Sequence, residues 1–175
     1  MIKDIYVVYT HGTGWFSKSI EVVEELGDLI KGSSNGTNFI PTHVGMVDNG
    51  LFQEAITSGF VGENIKRYSP ENIRIYKLTI TDDALIKAGD AKFKELLGTD
   101  YSPHALLCGA AYMLFGKEIP GIPGQNDCSG DITEVLRAFG FDIAGDVPSA
   151  DISPDYQMGI VDKIGVLTPL ADVVV

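Results

Sequence analysis

The sequence predicts an α+β fold, and three observations carry that expectation. Short runs rich in β-branched and aromatic residues fall in the first half of the chain, where they fit a pleated surface. Two of these runs are joined by an Asn-Gly pair, and separate amphipathic stretches carry helical periodicity. The 175 residues, 45% apolar and 21% charged, with a mean hydropathy of +0.12, suit one soluble globular domain over residues 1–175. Disordered, collagen-like, coiled-coil and disulfide-scaffold classes are excluded on the same grounds.

Ile5 to Tyr9 reads as a first strand, ending at the breaker-rich Thr10-His11-Gly12-Thr13-Gly14. From Trp15 to about Lys31, Ile20, Val23, Leu26 and Ile30 recur at helical spacing, and a Gly/Ser/Asn loop follows. Thr42 to Asp48 and Leu51 to Ile56 form a hairpin across Asn49-Gly50, the pair that best supplies two positive φ angles in a type I′ turn. Ile73 to Ile80 is a further strand. Asp82 to Leu97 is a helix with Thr81 as the expected N-cap and Gly98 at its close. His104 to Phe115 is an apolar helix started by Pro103, and Gly116 to Gly124 is loop. The last helix expected runs from about Cys128 to Phe139, with the core stripe Ile132, Val135, Leu136 and Phe139 and with Gly140 as C′ residue. Residues 143–175 form a C-terminal extension, and short strands and turns are the most expected beyond Asp142.

Charge narrows the partners. Twenty-four acidic against 13 basic residues leave a net charge of −11, which repels nucleic acid and anionic lipid. No apolar run approaches the roughly 18 to 20 residues of a membrane span, and no signal-peptide core follows Met1. Stable membrane insertion is therefore not expected, and the expected address is the cytoplasm, with export or phage delivery as the other route. Two cysteines, Cys108 and Cys128, are too few for a disulfide framework.

The chemistry centres on Cys128. Asn126 or Asp127 can cap the helix that begins there, which places the thiol in a first turn whose free N–H groups favour thiolate and can later hold an oxyanion. Asp127 opposes this by like charge unless its carboxylate caps the helix. Without a base, the same cysteine is a small buried hydrophobe. The histidines are His11, His43 and His104. A two-residue turn at Asn49-Gly50 pairs Gly45 with Glu54 and His43 with Ile56, so His43, Gly45 and Glu54 share a face. His43 and Glu54 are then diagonal neighbours, roughly 7 Å apart at the backbone, and Gly45 leaves room for the imidazole to lean across. A carboxylate on one ring nitrogen fixes the tautomer and frees the other nitrogen for a thiol proton. Cys128 as nucleophile, His43 as base and then acid, and Glu54 as orienter form the expected triad.

Asn126-Asp127-Cys128-Ser129-Gly130 resembles the Asp-Cys-Ser-Gly nucleophile motif of NlpC-type cysteine peptidases, which have a papain-like fold. His43-Val44-Gly45-Met46-Val47, the Asn-Gly turn and Glu54-Ala55 resemble that family's base strand, turn and third polar residue. Gly98-Thr99-Asp100-Tyr101 is similar to the Gly-x-x-Tyr that often precedes the nucleophile helix. Ordinary members place cysteine before histidine, whereas no histidine follows Cys128 here. That order resembles the circularly permuted branch, which includes YiiX-like proteins and relatives of lecithin retinol acyltransferase. Gly12-x-Gly14 before a helix and Phe39-Ile40-Pro41-Thr42-His43 are also similar to permuted members from bacterial and phage genomes. The likeness covers about residues 5 to 140. It departs in the longer Tyr101-to-Cys128 spacing, in Gly130 where many permuted members have Glu, and in the tail after Asp142.

The resemblance implies a permuted papain-like fold in which an antiparallel sheet carrying the histidine packs against the cysteine-bearing helix. It implies peptidase or amidase activity on a peptide or acyl-containing small substrate, cell-wall stem peptides among them, with thioesterase or acyltransferase chemistry on lipids as the alternative. No cofactor and no metal are expected. Tyr101 enters from the resemblance as a substrate or oxyanion residue. Gln125 is a candidate oxyanion donor, and His11 is a candidate site-lining residue or alternative base. Gly12-Thr13-Gly14 lacks the Lys-Ser/Thr of a phosphate loop. His104 and Cys108 share a helix face but lack the further ligands that a structural zinc site needs. The reading from another class is a noncatalytic domain that binds a peptide, glycan or protein.

Overall fold

Turn chemistry and period-two alternation build the sheet on which everything else rests. A computed structural model describes residues 1–11, 39–56, 59–62, 64–99 and 127–173. Six strands, β1 (Lys3–Thr10), β2 (His43–Asp48), β3 (Leu51–Ile56), β4 (Gly59–Gly62), β5 (Ile73–Ile80) and β6 (Val166–Leu167), form an open antiparallel sheet in the order β4-β3-β2-β1-β5-β6. The β2–β3 turn has φ of 49° at Asn49 and 76° at Gly50, as a type I′ hairpin requires. Its register pairs Asp48 with Leu51, Val47 with Phe52, Met46 with Gln53 and Gly45 with Glu54, as expected from the two-residue loop.

The helices among the described residues are α1 (Asp83–Leu96), α2 (Cys128–Ala138) and α3 (Pro154–Ile164). All three contribute to one buried cluster, in which Ile86 and Phe93 of α1, Ile132 and Leu136 of α2 and Met158 and Val161 of α3 meet Ile5, Val7, Val44 and Met46 of the sheet. The opposite sheet face has its own smaller cluster of Val8, Val47, Phe52, Ile65, Ile73, Ile75 and Val173. Side chains alternate between the two clusters along β1, so both faces of the central strands are dry. No helix among the described residues is long and apolar enough to cross a membrane.

Two expectations are corrected. The N-cap of α1 is Asp82 and not Thr81, because the Asp82 carboxylate reaches the N–H groups of Ala84 at 2.7 Å and Leu85 at 3.3 Å. Its negative charge also meets the positive end of the helix. The segment after Asp142 holds more than strands and turns, for α3 fills Pro154–Ile164. Ser153 caps it through the Tyr156 N–H, Pro154 stands in the first turn, and the buried positions 154, 157, 158 and 161 follow helical spacing. β4 and the short 3-10 segment Ile65–Arg67 carry no periodicity long enough to announce them. The expected helices over 15–31 and 104–115, the Gly12-Thr13-Gly14 turn and the loop over 116–124 lie outside the described residues.

Candidate active site

The hairpin supplies half of the site. His43 opens β2, and its Nε2 donates to Glu54 Oε2 at 2.6 Å. Glu54 is fully buried at 0% exposure, whereas the His43 side chain keeps 19%. Gly45 makes the crossing possible: a Cβ there would lie 2.7 Å from the Phe52 ring, 2.8 Å from the Gln53 carbonyl oxygen and 3.0 Å from Glu54 Cβ. Any larger residue at this position collides with the backbone and with the stem of the carboxylate. Tyr68 donates through its hydroxyl to the same Glu54 oxygen at 2.7 Å.

The helix supplies the other half. Cys128 is the first residue of α2 and is 2% exposed. Asp127, extended at φ −95°, is its N-cap and accepts from the Gly130 N–H at 2.7 Å and the Ser129 hydroxyl at 3.0 Å. The opposing charge of Asp127 is thus turned into the cap, a contribution of about 1 kcal/mol to helix stability. Burial pushes the Asp127 carboxyl up to about 6, against the pull of its Gly130 and Ser129 hydrogen bonds and of the His43 charge. The Cys128 N–H lies in the first turn of α2, among the N–H groups that a helix leaves without an intrahelical acceptor.

The two halves meet at the imidazole. His43 is hydrogen-bonded to the Cys128 side chain as well as to Glu54. With Nε2 given to the carboxylate, Nδ1 is the nitrogen left for sulfur. Burial works against a charged ring, yet the interactions with Cys128 and Glu54 outweigh it and push His43 up to about 10. Cys128 packs in the helix-side cluster, whereas the Tyr68 that holds Glu54 packs on the opposite cluster. His43, at the end of its strand, joins the two layers.

A buried polar brace stands behind the first turn of α2. Gln157 of α3, 0% exposed, donates through Nε2 to the Ser129 carbonyl at 3.1 Å and to Thr133 Oγ1 at 2.7 Å, and its Oε1 accepts from the Tyr9 hydroxyl at 3.0 Å. One side chain thereby ties β1, α2 and α3 together.

The residues expected to act together, Cys128, His43 and Glu54, are brought together. His11 is engaged elsewhere: its Nδ1 donates to the Ile40 carbonyl at 2.8 Å, its backbone N–H donates to the Asn72 carbonyl at 2.9 Å, and its ring meets Phe39 edge-on. Tyr101, Gln125, His104 and Cys108 lie outside the described residues. Tyr68 and Gln157 escape sequence reasoning, because the first follows an irregular segment and the second lies in a stretch where only short strands and turns are expected. Gln157 had one legible signal, its place on the buried stripe of α3. No group of three or more His, Cys, Asp or Glu side chains arranged to hold a metal ion occurs among the described residues. A surface hollow of about 470 Å³ lies at the turn end of the hairpin, lined by Leu51, Phe52, Ile65 and Lys66 among others, and its lining includes none of Cys128, His43 and Glu54. No protein-family model matches the sequence, and no curated protein matches it at a significant level.

Proposed function

We propose that this chain is a cysteine hydrolase of the circularly permuted papain-like type, acting on peptide or other amide bonds through a Cys128–His43–Glu54 triad. The observation that carries the reading is a single imidazole bonded both to a thiol at a helix start and to a fully buried carboxylate. Such a constellation activates a nucleophile and orients its base at once.

In the acylation step the Cys128 proton passes to His43 Nδ1 and sulfur attacks the carbonyl carbon. The tetrahedral oxyanion is held by the Cys128 N–H at the positive end of α2. The imidazolium then protonates the leaving amine as the C–N bond breaks, which leaves a thioester. Water, deprotonated by His43, attacks that thioester and releases the acid and the thiol. Glu54 stabilises the imidazolium in both halves of the cycle. An ester or thioester would pass through the same acyl-enzyme, so lipid acyl transfer differs only in donor and acceptor. Cell-wall stem peptides are the substrates suggested by the resemblance to NlpC-type enzymes, and the acidic surface favours neutral or cationic ones.

The test is iodoacetamide alkylation followed by peptide mass spectrometry, comparing wild type with His43→Ala and with a small free thiol. We expect Cys128 to label rapidly already near about pH 6, where an ordinary thiol is protonated, and labelling there to fall on the order of 10²-fold in the variant. Labelling no faster than the free thiol, or indifferent to His43, would overturn the hydrolase reading and leave a noncatalytic binding domain.

A further inference from the structure

Glu54 presents a physical problem that the triad alone does not solve. A carboxylate at 0% exposure is expensive to keep ionised, and burial drives such groups toward the neutral acid unless donors stabilise the anion. A neutral Glu54 would place its own proton between Oε2 and His43 Nε2. The ring would then carry its proton on Nδ1 and face Cys128 as a donor, unable to accept the thiol proton. Something must hold Oε2 as an acceptor.

The candidate is 14 residues from Glu54 along the chain, and its hydroxyl is 2.7 Å from Oε2, next to the 2.6 Å contact from His43. Local contacts set its placement. Asn64 caps the 3-10 segment Ile65–Arg67 through the Lys66 N–H at 3.0 Å, and Ile65, 2% exposed, anchors that segment in the sheet-side cluster. The Tyr68 N–H closes onto the Ile65 carbonyl at 3.2 Å, and the ring stands edge-on to Phe52 at 6.2 Å. A phenol so held can donate to Oε2 but brings no positive charge to neutralise it.

Building on the hydrolase reading, we propose that Tyr68 is a positioning residue of the same site: by donating to the Glu54 oxygen that receives His43 Nε2–H, it keeps that carboxylate an acceptor and so leaves Nδ1 free to take the Cys128 proton. Tyr68 touches no reacting atom, and its proton stays on its own oxygen throughout.

Tyr68→Phe keeps the ring and removes the hydroxyl that donates to Glu54. The experiment measures the pH profile of Cys128 alkylation and follows the His43 ring by 15N NMR in wild type, Tyr68→Phe and His43→Ala. We expect Tyr68→Phe to slow labelling at the acid end of the profile by roughly tenfold, since one hydrogen bond to a charged group is worth about 1.5 kcal/mol. The His43 titration should move down from about 10 toward its ordinary 6.5, with unchanged thermal unfolding. A Tyr68→Phe protein with wild-type profile and wild-type His43 titration overturns the proposal. So does one that loses its cooperative unfolding, which makes the hydroxyl a folding requirement. Wild-type labelling that ignores His43→Ala instead brings down the hydrolase reading itself, so the two failures are told apart.

Discussion

The two halves of the candidate site are built by opposite means. His43 and Glu54 are held within one hairpin, whose register follows from Asn49-Gly50 and from the missing side chain at Gly45. Cys128 stands 85 positions after His43 and is placed by packing, through the Asp127 cap in front and the Gln157 brace behind. A locally built half tolerates change elsewhere in the chain but is intolerant at its one crowded position. A half built by tertiary packing spreads its dependence over several buried polar contacts, none of them decisive alone.

That contrast can be broken most sharply at Gly45. Gly45→Val forces side-chain atoms onto the Phe52 ring and the Gln53 carbonyl, so about 3 kcal/mol of stability should be lost by denaturant unfolding, together with the His43–Glu54 bond. A variant of wild-type stability would show that the hairpin yields and that local register is not what sets the pair. A smaller effect is expected at Gln157→Met, which keeps the volume but strands the Tyr9 and Thr133 hydroxyls. It should cost about 1–3 kcal/mol, with His43–Glu54 geometry intact and Cys128 alkylation slowed. If both halves suffer equally in that variant, the division between them fails.

The subtlest probe is pH. Asp127 and His43 both have raised values in the fold, so each binds its proton more tightly folded than unfolded, and each loses its stabilising contribution as pH rises. The windows differ. The Asp127 contribution is complete below its ordinary 3.8 and is lost through about 6, and the His43 contribution is complete below 6.5 and lost through about 10. Asp127→Asn, which still caps the helix, should flatten the stability profile over the lower window and alter the upper one only through the lost attraction between Asp127 and the His43 charge. Urea midpoints measured across both windows would read this directly, and a lower window unchanged by Asp127→Asn would mean that another buried acid is responsible.

Strands β1, β2, β3 and β5, the type I′ turn, helices α1 and α2 and the shared face of His43 and Glu54 were legible because each rests on interactions close along the chain. Alternation, an Asn-Gly pair, a cap and a 3.6-residue stripe are read from neighbours. α3 was legible in principle from Ser153-Pro154 and its buried stripe, but the short polar stretch around it masked the period. Tyr68 was not legible at all, since nothing in an irregular segment indicates which strand its hydroxyl will reach.

The sequence by itself determined the antiparallel hairpin, the helix that begins at Cys128, the net negative charge and the pairing of His43 with Glu54 on one face of that hairpin. Only the tertiary structure decided that the thiol meets the imidazole, that Asp127 spends its charge on the cap, and that Tyr68 and Gln157 steady the two halves. The physical reason is distance along the chain. Hydrogen-bond periodicity and turn geometry act within a few residues, whereas the meeting of Cys128 with His43 depends on two apolar faces, on α2 and on the sheet, finding a single way to pack.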